Sequence, residues 1–350
     1  MTKKTVYVIG AGASYEANLP TGDKLKGEIA KLLNFNLDPF AKTSGDGEIL
    51  LALRQHAAPD RTSNTLNRYL HECRHIRANM PLAISIDNFI DTERNNEELA
   101  LCGKLAIVKT ILNAEKNSKL KLKNNNIYDA FNFSSVNETW YLSFFRAITE
   151  NCSIQDVSFR FQDITLIIFN YDRCVEHFLL HALISYYRLT ESEAAGIINN
   201  LNIIHPYGMV GSLSWLDPAS QTSVAFGGEL QVSQLIKYAE GIRTFTEGAH
   251  SESMKQLVIS MENAERLIFL GFAFHRLNME LIGGRANGIN GYENSNKIKC
   301  YATAFETSKS DQEAIRNSIN YLYKNDIGIY IENTTCNQIF KDYSRSLGFS

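Results

Sequence analysis

The sequence lacks three features that would each have pointed to a class of function. Its 350 residues hold only six cysteines, at positions 73, 102, 152, 174, 300 and 336, and no pair has CxxC spacing. A four-cysteine zinc knot is excluded, and a disulfide framework is not expected in so long a chain. There is no basic excess either. Charged residues make up 21% and the formal net charge is −3, whereas a nucleic-acid binder shows a strong basic bias. Long apolar runs are missing. Leu166 to Phe169 and Leu267 to Leu270 are strand-sized, far short of the roughly 20 residues that span a membrane. The run Val6 to Ile9 behind Lys3 and Lys4 ends in a glycine loop and not at a cleavage site, so a strand is expected there and not a targeting signal. The expectation is a cytoplasmic protein that contacts neither membrane nor nucleic acid directly.

What the chain has is a 44% hydrophobic content, ample for a buried core, distributed in short runs that end in Gly, Asn, Asp or His. Thr5 to Ile9 is followed by Gly10-Ala11-Gly12-Ala13-Ser14, and Thr21 and Asp23 offer caps for a helix to about Leu33. Strand, glycine turn and helix open a nucleotide-binding α/β unit. Ile164 to Phe169 reads as a strand covered on both faces. It ends at Asn170-Tyr171-Asp172, and a helix to about Tyr187 follows. Leu201 to Ile204 ends at His205-Pro206-Tyr207-Gly208. Helices over about 231–243 and 251–264 lead to Arg266 to Leu270, which ends at Gly271-Phe272-Ala273-Phe274-His275. Lys297 to Ala304 is a strand, Ser310 to Tyr323 a helix and Ile327 to Ile331 a last strand. The expected fold class is α/β: a Rossmann-like parallel sheet with flanking helices. Residues 1–34 and 161–350 form this core, and 35–160 form a mostly helical insertion containing a polar, mobile loop at 116–126 (KNSKLKLKNNN).

In an open parallel sheet, ligands bind beyond the carboxyl ends of the strands, and that is where these polar residues gather. The Gly10-Ala11-Gly12 turn lets main-chain N–H groups approach a pyrophosphate, though the same turn also occurs without a ligand. Position 15 is tyrosine, which departs from the dehydrogenase fingerprint. Asn170 and Asp172, two apart in an extended segment, point the same way and suit one ribose; they equally suit a turn and a helix cap. His205 is a candidate proton acceptor near neutral pH, or a loop histidine satisfied by main chain. One competing motif, His71-Glu72-Cys73-Arg74-His75, matches the HExxH of zinc peptidases. Arg74 sets a cation beside the supposed metal and no third ligand is evident before Asp87, so a solvated amphipathic helix is expected instead and no metal site.

The order GAGAS (10–14), NYD (170–172), HPYG (205–208) and GFAFH (271–275) resembles the sirtuin superfamily, and more closely the bacterial sirtuin-like NADases of antiphage defence. Ser85-Ile86-Asp87-Asn88-Phe89-Ile90 in the insertion also looks typical of that group. The resemblance covers the Rossmann core. It implies that Gly10, Ala11, Gly12, Ala13 and Ser14 cradle phosphate and that Asn170 touches the nicotinamide ribose. It makes Asp172 the acidic partner and His205 the general base. Gly271 and Phe272 would lie along the dinucleotide, and Thr303 near its adenosine end. The missing zinc knot departs from the protein-deacylating sirtuins. So does Leu19-Pro20-Thr21-Gly22-Asp23, which stands where they carry a proline–aspartate–phenylalanine–arginine loop. Both departures favour hydrolysis over acyl-lysine chemistry.

The resemblance therefore implies an enzyme that takes NAD+ as substrate, without metal, and releases nicotinamide and ADP-ribose. It also implies a defence effector that depletes cellular NAD, assembles as a homo-oligomer and is gated by a separately encoded activator, an ATPase or nucleotide-sensing partner. A non-catalytic NAD or ADP-ribose sensor is the alternative, and a NAD-dependent protein deacylase a more distant one.

Overall fold

The computed structural model describes residues 3–36, 44–59, 64–122, 131–249, 253–294 and 297–349. Six strands appear among them: β1 (Thr5–Ile9), β2 (Ile164–Ile168), β3 (Asn202–Ile204), β4 (Arg266–Leu270), β5 (Lys299–Thr303) and β6 (Gly328–Glu332). They form one sheet in the order β3-β2-β1-β4-β5-β6, with every neighbouring pair parallel. This is the doubly wound α/β order, and the expected sheet with flanking helices is present.

A parallel sheet must be covered on both faces, and strand alternation assigns each residue to a face. Val6, Val8, Leu267, Phe269, Cys300 and Ala302 enter one core. Tyr7, Ile9, Leu166, Ile168, Ile268 and Leu270 enter the other. Ile9 stands opposite both Ile168 and Leu270, and Ile167 opposite Ile204. The register thus brings the ends of four strands to one height, and the loops that follow them meet above β1.

Helices between 44 and 161 cover both faces. Gly47–Ala57, Asn64–Asn79, Ile86–Thr92 and Glu97–Lys116 contribute to the first core. Trp140–Thr149 and Ile154–Phe161 contribute to the second. Trp140 also reaches the glycine turn, donating from Nε1 to Ala13 O (3.0 Å) and from its main-chain N to Glu16 Oε2 (2.7 Å). Of the polar stretch 116–126, Lys116 closes a helix and 117–122 is turn; residues 123–126 lie outside the described residues. Among the described residues no helix is long and apolar enough to cross a membrane.

Candidate functional site

The glycine turn after β1 and the loop after β4 are built against each other. Gly10 N donates to Leu270 O (3.0 Å) and Gly12 N to Gly271 O (2.9 Å). A Cβ on Gly10 would lie 2.6 Å from Gly271 O, and one on Gly271, whose φ is +54°, would lie 2.1 Å from Ala13 N. Main-chain contact alone therefore demands glycine at both positions. Ala13 N donates to Gly10 O (3.0 Å), so the N–H groups of Gly10, Gly12 and Ala13 are all engaged within the protein. Thr303 latches this arrangement from β5. Its Oγ1 accepts from Gly271 N (2.8 Å) and donates to Phe269 O (3.4 Å).

Asn170 lies just beyond β2, with its amide turned onto the glycine turn. Nδ2 donates to Gly10 O (3.0 Å) and to buried Ser14 Oγ (2.8 Å). A main-chain carbonyl can only accept, so these contacts fix the amide's orientation. Both amide hydrogens face the turn, and Oδ1 is left to accept from a bound molecule. Asp172 is also buried. Its Oδ1 accepts from the N–H of Cys174 (3.1 Å), the first residue of the helix Cys174–Tyr187, whose N-cap is Arg173 and not Asp172. Burial raises its carboxyl above the ordinary range, partly offset by Cys174 and Ser14.

His205 follows β3 and is buried beneath Asn170. Nε2 lies 2.8 Å from Glu176 Oε1 and Nδ1 lies 3.2 Å from Asn170 O. Burial lowers the imidazole's proton affinity, but Glu176, Asn170 O and Asp172 together outweigh it, and the net shift is upward. A carbonyl and a carboxylate both accept, so each ring nitrogen donates. In this arrangement His205 offers no nitrogen to the cavity and is not part of its wall. Sequence reasoning missed Glu176. Its signal was a single carboxylate in the apolar helix start Cys174 to Leu180, where a buried charge needs a partner.

Two cavities meet over the strand ends. One, of about 500 Å³, is walled by Gly10, Asn170, Asp172, Tyr207, Asp87 and His275. The other, of about 1630 Å³, runs past Gly12, Gly271, Thr303 and Cys336. They share Ala11, Leu19, Pro20, Gly22, Phe272 and Ala273. Phe272, packed edge-on against Phe169 at 5.1 Å, stands between them. The pair straddles the point between β1 and β4 where strand order reverses, the place where open α/β sheets hold extended ligands. The site residues read from the glycine turn, the later strand ends and β5 thus fall in one neighbourhood. Asn170, Asp172, Gly10, Ala11, Gly12, Gly271, Phe272 and Thr303 line the cavities, while Ser14, Ala13 and His205 lie behind them in the core.

The Ser85–Ile90 segment supplies a further wall. Ser85 caps the helix Ile86–Thr92 by accepting from Asn88 N (3.1 Å). Ile86 and Ile90, one turn apart, are buried, which leaves Asp87 on the cavity. Further along this side, Tyr207 donates to Asn278 Oδ1 at 2.5 Å. The HECRH segment is elsewhere, on the helix Asn64–Asn79. There His71 Nδ1 pairs with Glu72 (3.0 Å) and His75 Nε2 with Glu93 (2.9 Å). No group of three or more His, Cys, Asp or Glu able to hold a metal occurs among the described residues.

No family model and no curated protein matches the chain. Among solved structures, it is similar to a Sir2 homolog in complex with NAD, at 12% identity and a TM-score of 0.39, over 99% of this chain and 90% of that one.

Proposed function

We propose that the chain is a NAD+ glycohydrolase that cleaves the nicotinamide–ribose bond. The observation that carries this reading is the placement of Asn170. It stands at the strand-order reversal with both amide hydrogens held by Gly10 and Ser14, and it lines a cavity together with Asp172. A preorganised acceptor is what a ribose hydroxyl or an attacking water requires. The nicotinamide of NAD+ is already a cationic leaving group, so its departure needs no acid, and the ribose passes through an oxocarbenium-like state. In this reading Asn170 Oδ1 orients the ribose or the water, and the Asp172 carboxyl stabilises developing positive charge. The larger cavity accommodates the remainder of the dinucleotide past Gly271 and Thr303.

The antiphage-defence setting, oligomeric assembly and a separately encoded activator belong to the same proposal and rest on the resemblance of the GAGAS, NYD, HPYG and GFAFH segments. A second reading, NAD or ADP-ribose binding without turnover, is favoured by the engagement of both His205 nitrogens inside the protein. Incubation with NAD+ and quantification of nicotinamide separates the two. Stoichiometric nicotinamide and ADP-ribose support the hydrolase, and saturable binding with intact NAD+ supports the sensor.

A further inference from the structure

Asn170 is gripped at two points. Its amide is fixed by Gly10 O and Ser14 Oγ, and its main-chain carbonyl lies 3.2 Å from His205 Nδ1. The second grip depends on a proton. A carbonyl oxygen only accepts, so the bond exists only while Nδ1 carries hydrogen. The far side of the ring decides whether it does. There Nε2 meets Glu176 Oε1 at 2.8 Å. Glu176 is 1% exposed, and its Oε2 has no hydrogen-bond partner among the described residues. A carboxylate so buried relies on its one partner for compensation, and that partner is His205.

We propose that Glu176 is a positioning residue for the cleavage of NAD+: it anchors the His205 ring so that Nδ1–H holds the Asn170 main chain in place. The assignment rests on the NAD-hydrolysis reading. Neither Glu176 nor His205 lines the two cavities, so both act through Asn170. Donor counting gives the effect a sign. With both ring nitrogens protonated, Nε2–H serves Glu176 and Nδ1–H serves Asn170 O. When pH rises and one proton leaves, a single N–H remains for two acceptors. The carboxylate makes the stronger, charge-assisted bond, so Nε2 keeps the proton. Nδ1 is then bare against Asn170 O, and the main-chain grip is lost. Glutamine at 176 behaves otherwise. Its amide can donate to Nε2, which leaves the hydrogen of neutral His205 on Nδ1 and the grip intact.

The surroundings leave this balance largely to Glu176. Asp172, on the loop after β2, adds to the upward shift of His205. Cys174 and Tyr207 are held neutral by burial. Arg173 pairs with Glu115 (2.5 Å). Arg243 reaches the loop after β3 through its main chain, donating to Tyr207 O (2.9 Å). Glu247, next to the Gly248 that packs on Pro206 O, is held by Lys104 (2.8 Å). The helix Ser253–Glu262 packs on β3 and buries Met254, Leu257 and Met261.

The test is the pH profile of nicotinamide release by the wild type, Glu176→Gln and Glu176→Ala, with the protons of His205 followed by nitrogen NMR. The wild-type kcat should hold at low pH and fall about tenfold per pH unit above the raised His205 pKa. Glu176→Gln should lack that falling limb. Glu176→Ala, with the ring unanchored, should lose roughly 10²-fold in kcat, and glutamine should recover part of the loss. In the wild type Nδ1 should be the nitrogen that gives up its proton. A wild-type limb in Glu176→Gln, a wild-type kcat in Glu176→Ala, or proton loss from Nε2 overturns the assignment and leaves hydrolysis standing. Nicotinamide released without ADP-ribose overturns hydrolysis and not the hold on Asn170. Protein that binds NAD+ without turnover is compared by NAD+ affinity, which should fall with pH in the wild type and not in Glu176→Gln; parallel profiles overturn the assignment.

Discussion

Asn170 and His205 are joined through main chain: His205 Nδ1 donates to Asn170 O at 3.2 Å, while the Asn170 amide turns the opposite way onto Gly10 and Ser14. The histidine is therefore the floor on which the asparagine stands. On its far side lies Glu176, and the His205–Glu176 pair is almost wholly buried.

Removing one member of such a pair strands a charge. His205→Ala should destabilise the fold by about 3–5 kcal/mol, seen as a large fall in melting temperature together with any loss of activity. The pair also sets a pH dependence. The His205 pKa is raised in the folded state, so its contribution is complete below the unfolded value of about 6.5 and is lost as pH rises through the higher folded value. Denaturant titrations of the wild type and His205→Ala should therefore converge as pH rises above neutrality. A His205→Ala protein with undiminished stability at pH 6 would contradict the positioning role.

Gly271→Ala tests the meeting of the two loops. The new Cβ would lie 2.1 Å from Ala13 N at a φ of +54°. The backbone must shift, at a cost on the order of 2–4 kcal/mol, and the cavities on both sides of the turn deform. Calorimetry should show NAD+ affinity reduced at least tenfold. Unchanged affinity would mean that this contact does not shape the site.

How much of this was legible in the sequence depends on what each residue touches. The strands were readable because Val6–Ile9, Leu166–Ile168 and Leu267–Leu270 are continuous apolar runs, the signature of a sheet covered on both faces. The turn residues after them were readable because they break those runs. The helix read over 231–243 was too long. Its regular part is Leu235–Ala239, and Gly241 follows in a tight turn against Tyr238 O. The partners of the site were not legible, because they come from distant parts of the chain. Glu176 finds His205 29 positions on, and Thr303 finds Gly271 32 positions back. Asp87 was visible as part of a motif, but only the burial of Ile86 and Ile90 shows which way it faces.

A buried ion pair between separate parts of the chain supports a third prediction. Arg173, fully buried, forks onto Glu115 through Nε (3.1 Å) and Nη2 (2.5 Å), and its Nη1 donates to Val224 O (2.6 Å). Glu115 in turn accepts from Gly227 N (2.9 Å). One ion pair thus locks the residue after Asp172 to the helix Glu97–Lys116 and to the 212–227 loop. Glu115→Ala should cost about 3–5 kcal/mol by leaving the guanidinium unpaired, a loss that chemical denaturation will register. A change below 1 kcal/mol would contradict this account.

Asp87 makes a stability prediction that needs no enzymatic readout. Its carboxyl is raised from 3.8 to about 7 in the folded state. Relative to Asp87→Asn, the wild type is therefore at its most stable below about pH 4 and loses that standing as pH rises through about 7. The variant should gain on the wild type by on the order of 2–4 kcal/mol between pH 4 and pH 8. A stability difference that does not move with pH would mean that Asp87 titrates normally.

The most direct test of the central claim is the fate of NAD+ itself. Purified wild type and Asn170→Ala are incubated with NAD+, and nicotinamide and ADP-ribose are quantified over time. The account predicts equal molar release of both products by the wild type and a loss of at least a hundredfold in Asn170→Ala. Nicotinamide released without ADP-ribose, or NAD+ consumed equally well by Asn170→Ala, would contradict it.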